Sequence, residues 1–347
     1  MKKKVLVGMS GGVDSSMAAY LLKKDGYDVS GATMLLTDDP SARENADDAA
    51  AVCRSLDIPF TAFDFKEMFR EKVINNFIDE YKNGRTPNPC VVCNKHLKFG
   101  AFLDKAAAEG FDYVATGHYA KILSDPSTGE YKIKISDAGA KDQSYVLYNH
   151  TQHTLSKTLM PLGSYEKPQI REMAANLGIA SANRPDSQEI CFIRDDDYVR
   201  FIKETSGYVP KKGNFLDTDG NVIGTHDGII NYTIGQRKGL GAFGRPMFVM
   251  KIDVPGNNII LGEKGMEFGK NLVAGNLNFI SGTYPAEEFR CLAKNRYQAK
   301  PAWCTVKVKN ETAEITYDEP VRAITPGQSI VFYDGDYLLG GGIVADS

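Results

Sequence analysis

Residues 4–16 read Lys4-Val5-Leu6-Val7-Gly8-Met9-Ser10-Gly11-Gly12-Val13-Asp14-Ser15-Ser16, and their order decides the fold. The apolar run 4–9 is short and continuous, the pattern of a parallel strand buried on both faces. Val13, Met17 and Leu21, with Ala18 and Leu22, then recur at helical spacing, and Gly26 is a stop. Between strand and helix, two glycines let the backbone approach a phosphate. Ser10 and Ser15 add hydroxyl donors, and the helix start aims free N–H groups at an anion. Asp14 is placed to hold a magnesium ion bridging phosphates. No Lys-Ser/Thr pair follows the glycines, so this is not a Walker loop.

Outward from this stretch, strand and helix patterns alternate. Strands are predicted at 27–36, 60–65 and 113–116. Helices are predicted at 42–56, from Met68 to near Gly84, and at 94–109. Such repeats predict an α/β fold, a doubly wound parallel sheet with helices on both faces. Ligands in these sheets bind beyond the carboxyl ends of the strands. Pro87 and Pro89 keep 84–89 out of a helix. Runs 119–123 and 131–135 flank Asp125-Pro126-Ser127-Thr128-Gly129 as a hairpin. Further helices are predicted at 168–177 and 194–206.

From about Gly207 glycine and turn residues become dense. Runs 228–234, 247–252 and 258–261 predict a small β-rich unit. Runs 305–309, 313–317, 329–333 and 338–344 predict a compact antiparallel barrel. The expected organisation is a catalytic domain at 1–206, a β-rich central domain at 207–268 and a C-terminal β-barrel at 269–347.

The chain has 347 residues, 42% hydrophobic and 24% charged, with a net charge of −3, which excludes a disordered chain. No apolar run approaches the roughly 18 residues of a membrane span. Met1-Lys2-Lys3-Lys4-Val5 imitates a signal n-region, but Gly8, Ser10, Gly11, Gly12 and Asp14 interrupt any apolar core. The expected setting is the cytoplasm. Three stretches lack acids: 81–103, 228–252 and 289–310. They carry Lys82, Arg85, Lys95 and Lys98; Arg237, Lys238, Arg245 and Lys251; and Arg290, Lys294, Arg296, Lys300, Lys307 and Lys309. Any one alone is a solvated face. Three together suit a polyanion laid across domains.

Six cysteines, Cys53, Cys90, Cys93, Cys191, Cys291 and Cys304, are no disulfide framework in a cytosolic chain of this size. Cys53, on an alanine-rich helical face, and Cys291 and Cys304, in the β-rich tail, read as packing residues. Cys90-Val91-Val92-Cys93 precedes a helix expected to start near Asn94, beside Lys95, a setting that favours thiolate. Cys191 follows Asp186-Ser187-Gln188-Glu189-Ile190 and reads as a loop entering a short strand. One CxxC pair is too few ligands for structural zinc, so no metal-ligating residue is assigned.

SGGVDS (10–15) resembles the signature of the PP-loop ATP pyrophosphatases, whose fold is of the adenine nucleotide alpha hydrolase type. That likeness implies ATP cradled by Gly8, Met9, Ser10, Gly11, Gly12, Val13, Asp14 and Ser15, with Met34 against adenine. TPNPCVVCNKHLKF (86–99), ATGHYA (115–120), KDQSYVL (141–147), PDSQEICFI (185–193) and YTIGQRKGLG (232–241) resemble, in order, the tRNA-specific 2-thiouridylase family.

The resemblance implies an enzyme that adenylates the C2 carbonyl of the wobble uridine in tRNAs for lysine, glutamate and glutamine, then delivers sulfur from a cysteine persulfide. Cys93 would be the nucleophile and Cys191 the persulfide carrier, charged by a cysteine desulfurase or sulfur-relay protein. Asn88, Pro89 and Cys90 would face the target base, and Gly117 would contact ATP. His118, Lys141, Asp142, Gln143, Arg296, Tyr297 and Gln328 would bind tRNA. From its residues alone, His118 reads as a hydrogen-bonded core histidine. Many relatives carry Asp where this chain has Cys90, which leaves that residue as base, ligand or base contact. Cys90, Cys93 and Cys191 could also ligate an iron–sulfur cluster.

Two rivals remain. A PP-loop enzyme adenylating a carbonyl for ammonia would leave Cys93 and Cys191 unexplained. An ATP-gated RNA-binding protein would have no need of both thiols.

Overall fold

The computed structural model describes residues 2–183, 190–193 and 195–346. Five parallel strands form the first sheet: Lys4–Gly8, Asp28–Leu35, Phe60–Asp64, Tyr113–Ala115 and Thr158–Leu159. Numbered along the chain, their spatial order is third, second, first, fourth, fifth. Val5, Leu6 and Val7 are wholly buried because helices cover both faces. Val5 and Val7 pack with Met17 and Leu21, while Leu6 packs with Ala32, Phe102 and Val114 on the opposite side. The first strand pairs with the second through Val7↔Gly31 and with the fourth through Val7↔Ala115. The order therefore reverses at the first strand, and the crevice this opens lies beyond Gly8 and Ala115.

The helix carrying Cys90 and Cys93 corrects the sequence reading. It begins at Pro89, not near Asn94, and runs 89–108 with a π-helical stretch at Asn94–Ala101. Pro89 occupies the first helical position, where a missing N–H costs nothing. The Asn88 side chain caps the turn, accepting from the Cys90 and Val91 amides at 3.2 and 3.4 Å. A second π-helical stretch, Arg70–Ile74, lies within helix 66–82. The helix expected at 194–206 is Tyr198–Ser206, capped by Asp197. Residues 185–189 of the PDSQEICFI block, and Arg194, lie outside the described residues. Cys191 sits in a turn closed by Ile193 N–H to Ile190 O at 2.8 Å, not at the start of a strand.

The central unit is a four-stranded sheet of Met247–Asp253, Asn258–Glu263, Gly213–Leu216 and Val222–His226. The run 228–234, expected as a strand, holds a 3-10 turn at Ile229–Asn231 instead. Six antiparallel strands between Phe268 and Val344 close into a barrel, Ala274 pairing with both Ala313 and Val344. The hairpin Lys121–Ser124/Tyr131–Lys134 extends the barrel's sheet, Leu338 pairing with Ile133. Among the described residues no helix is long and apolar enough to cross a membrane.

Candidate active site

The phosphate loop occupies the crevice. Gly11 takes φ +74°, and a Cβ there would stand 2.9 Å from Asn45 O, so only glycine fits without strain. The loop is organised before any ligand arrives. Ser15 Oγ donates to Gly12 O at 3.1 Å and accepts from the Ser10 amide at 3.1 Å; Ser16 Oγ donates to Gly12 O at 2.9 Å. Gly117 packs directly on this loop, since its Cβ would lie 2.7 Å from Asp14 C and 2.8 Å from Ser15 N. Thr33 Oγ1 donates to Met9 O at 2.9 Å, which ties the second strand's end, with half-buried Met34, to the start of the loop.

Asp14 is already engaged. Lys167 Nζ lies 2.7 and 2.6 Å from its two oxygens, and Tyr119 Oη donates to Oδ1 at 2.7 Å. Sequence reasoning missed both partners. Lys167 belongs to no motif, and only its position at the start of helix Lys167–Asn176 brings it to the loop.

Cys93 is buried on its helix and Cys90 is exposed. Cys191 meets solvent, while its turn is pinned to the catalytic domain by Phe192, whose ring lies 5.5 Å from both Phe69 and Phe77. Burial pushes the Cys93 thiol up, against the lowering pull of Lys98. The Cys191 thiol is pushed up to about 12 by the protein packed around it and by the nearby Cys93 and Cys90, with Lys98 opposing. The expectation of a favoured thiolate is thus reversed for Cys93. The cation at the pair is half-buried Lys98, not exposed Lys95. Lys98 lies five residues beyond Cys93 in the π-helical stretch, whose i→i+5 bonding turns such residues toward one face. All six cysteines are free. Cys53, Cys291 and Cys304 are buried in packing; the last two face each other across strands, sulfurs 3.7 Å apart.

The residues expected on tRNA are largely occupied within the protein. His118 is 7% exposed, its Nδ1 2.8 Å from Thr116 Oγ1, and burial holds its pKa well below the usual value. Its ring lies tilted 5.7 Å from that of Phe99, which in turn lies 4.2 Å from His150. Asp142 accepts from the Ser136 amide at 2.7 Å, and Gln143 accepts from the Tyr119 amide at 3.0 Å. Tyr297 Oη donates to Asp142 O at 3.0 Å. Arg296 joins the central unit to the barrel through Ile234 O at 2.8 Å and Thr325 Oγ1. Gln328 donates to Thr86 O at 2.8 Å. Lys141 lines a cavity of about 660 Å³ with Glu166, Lys167 and Arg171.

The acid-free stretches are not acid-free in space. Arg85 pairs with Glu80 and Asp346, Arg245 with Glu263, Arg290 with Asp318, Lys307 with Glu288 and Lys309 with Glu314. Arg85, Arg245 and three of the six cations of the third stretch are thus compensated by acids outside it.

Three family models match in succession: a tRNA methyl transferase HUP domain at 3–195, a tRNA methyl transferase PRC-barrel domain at 200–263 and an aminomethyltransferase beta-barrel domain at 269–344. The tRNA-specific 2-thiouridylase MnmA of Clostridioides difficile (strain 630) is 52% identical over 358 residues, covering 100% of this chain and 99% of that one. Its counterpart in Acetivibrio thermocellus is 48% identical, covering 99% of each. Among solved structures, a 4-thiouridine synthetase–RNA complex with bound ATP is similar at 15% identity and a TM-score of 0.35, over 58% of this chain and 50% of that one.

Proposed function

The chain belongs to the tRNA-specific 2-thiouridylase family, and from that membership and the site's geometry we propose how its own residues carry the reaction. It is a tRNA sulfurtransferase with an ATP-binding PP-loop domain. ATP lies on Gly8 to Ser15, with Gly117 closing the cradle and Met34 at the adenine side. The nucleotide comes with a magnesium ion, for which Asp14 is the fitting carboxylate at the loop. The uridine C2 oxygen attacks the α-phosphorus, the bond to the bridging oxygen breaks, and pyrophosphate leaves with the electron pair. C2 now carries AMP, a good leaving group.

Cys191 brings the sulfur as a persulfide, loaded by a cysteine desulfurase or relay protein. The outer sulfur bonds to C2 and AMP departs. The Cys93 thiolate then attacks the Cys191 sulfur, breaking the persulfide bond and leaving 2-thiouridine and a Cys93–Cys191 disulfide. A cellular dithiol reduces that disulfide, which suits a cytoplasmic setting. The observation that most supports this reading is that Cys93 shares one apolar cluster with Ile190, Phe192 and Ile193, which flank Cys191, 98 residues further along the chain.

The accepting tRNAs are those for lysine, glutamate and glutamine. Asn88, Pro89 and Cys90 are assigned to the target base. The side chains of Lys141 and Arg296 and the ring of Tyr297 are assigned to tRNA once it displaces their internal partners. Cys90, Cys93 and Cys191 do not fit an iron–sulfur cluster as placed: among the described residues no three His, Cys, Asp or Glu side chains converge to hold a metal ion. No step is derived through one.

Incubation with ATP, a persulfide donor and unmodified tRNA is expected to give 2-thiouridine and AMP in equal amounts. AMP without sulfur in tRNA would favour the ammonia-type enzyme. ATP binding without AMP would favour the binding protein.

A further inference from the structure

The phosphate loop has no cation of its own. Between Ser10 and Ser16 the one charged side chain is Asp14, and it is negative. Yet breaking the α–β anhydride releases a pyrophosphate of several negative charges, and a fixed cation beside such a leaving group speeds its departure. Lys167 stands in that position. It is 8% exposed, its Nζ is bonded to both Asp14 oxygens at 2.7 and 2.6 Å, and it lies 5.6 Å over the Tyr119 ring. The same lysine lines a cavity of about 660 Å³, with Lys141, Arg171, Asp137 and Glu166 among its other walls. A buried lysine that is bonded to the phosphate loop and also lines a cavity of this size can turn from one anion to another.

We propose that Lys167 is a catalytic residue of the adenylation step that exchanges partners, leaving Asp14 for the β-phosphate of ATP and staying on pyrophosphate as it departs. The inference rests on the loop being the ATP site. Lys167 donates hydrogen bonds and transfers no proton; the electron pair of the broken anhydride bond stays on the bridging oxygen that leaves with pyrophosphate. Removing one member of a buried ion pair without a replacement is strongly unfavourable. Lys167 therefore leaves Asp14 only when the phosphates arrive, and the same event frees Asp14 for the nucleotide's metal ion. Nucleotide binding and assembly of the site become one transition.

The test is calorimetric titration with α,β-methylene ATP, inorganic pyrophosphate and AMP as separate probes. Five proteins are compared: the parent, Lys167→Met, Lys167→Arg, Asp14→Asn and the double variant Asp14→Asn/Lys167→Met. In the double variant neither position is charged, so folding is not at stake. Lys167→Met is expected to weaken pyrophosphate and the ATP analogue at least tenfold and AMP less than twofold. The double variant is expected to show the same loss relative to Asp14→Asn, and Lys167→Arg to recover most of it. Equal pyrophosphate affinity in Asp14→Asn and the double variant overturns the proposal, as does a loss shared equally by AMP. Failure of the parent to bind the ATP analogue is a separate result, and it removes the loop's assignment instead.

Discussion

Gln328 of the barrel donates its Nε2 hydrogen to the carbonyl of Thr86 at 2.8 Å, two residues before the cap of the helix that bears Cys90 and Cys93. The same loop receives Thr233 of the central unit, whose Oγ1 lies 3.2 Å from Thr86 Oγ1, and its Thr86 amide donates to Pro326 O at 2.9 Å. All three units meet on 84–89. Thr86–Asn88 is thus held from outside its own domain, and the cap geometry of Asn88 depends on that hold.

Gln328→Ala should therefore act on chemistry more than on folding. Losing these bonds costs about 1–2 kcal/mol of stability, whereas a misplaced helix start should lower single-turnover thiolation by about tenfold. Paired measurement of turnover and of thermal unfolding checks this. A variant that thiolates at the parent rate but binds tRNA more weakly would assign Gln328 to RNA contact alone.

Gly117→Ala tests the cradle. The new Cβ would meet backbone, Asp14 C at 2.7 Å and Ser15 N at 2.8 Å, and backbone cannot yield as a flexible side chain can. Overpacking of this kind costs about 1–3 kcal/mol. ATP affinity should drop at least tenfold while tRNA affinity, read by filter binding, stays put. Undiminished ATP binding would show that the loop relaxes around the added methyl.

The paired histidines make the fold acid-sensitive. Burial holds His150 at about 3 and His118 well below its usual value. Each stays neutral in the folded state and gains a proton on unfolding below about 6.5. The stability tied to neutrality is therefore fully present above 6.5 and is lost as pH falls toward the folded values. Each histidine should remove about 1.4 kcal/mol between pH 7.5 and 5.5, readable as a fall in the urea midpoint. His150→Gln should reduce the slope by the share of one proton; an unchanged slope would show that other groups, not this ring, set the acid limb.

How much of this was legible in the sequence follows range along the chain. Lys4 to Ser16 is a local signal, since strand burial, turn glycines and helix start all lie within thirteen residues. The helix start at Pro89 was misread because the two prolines were weighed as breakers, while the first helical position tolerates proline once Asn88 caps it. Lys167 reaches Asp14 across 153 residues, and Gln328 reaches Thr86 across 242. No pattern within either segment announces such pairs. The pairing within the basic stretches was equally out of reach, because Asp318, Asp346 and Glu263 come from elsewhere in the chain.

The thiol pair gives the reaction its own pH signature. Burial raises Cys93, and the protein packed around solvent-facing Cys191 raises it to about 12, so at pH 7 each rests as a thiol, and thiolate is the attacking form. Raising the pH by one unit multiplies the thiolate fraction about tenfold while pH stays below the pKa. Disulfide formation between Cys93 and persulfidated Cys191 should climb by up to about tenfold per unit from pH 6.5 to 8.5, in single-turnover assays on preloaded enzyme. Lys98 opposes the burial at both sulfurs, so Lys98→Met should shift that profile to higher pH and lower the rate at pH 7 about fivefold or more. Cys191→Ser should still release AMP and leave no thiouridine. A flat profile over those two units, with Lys98→Met indistinguishable from the parent, would mean that tRNA reshapes the pocket before either thiol reacts.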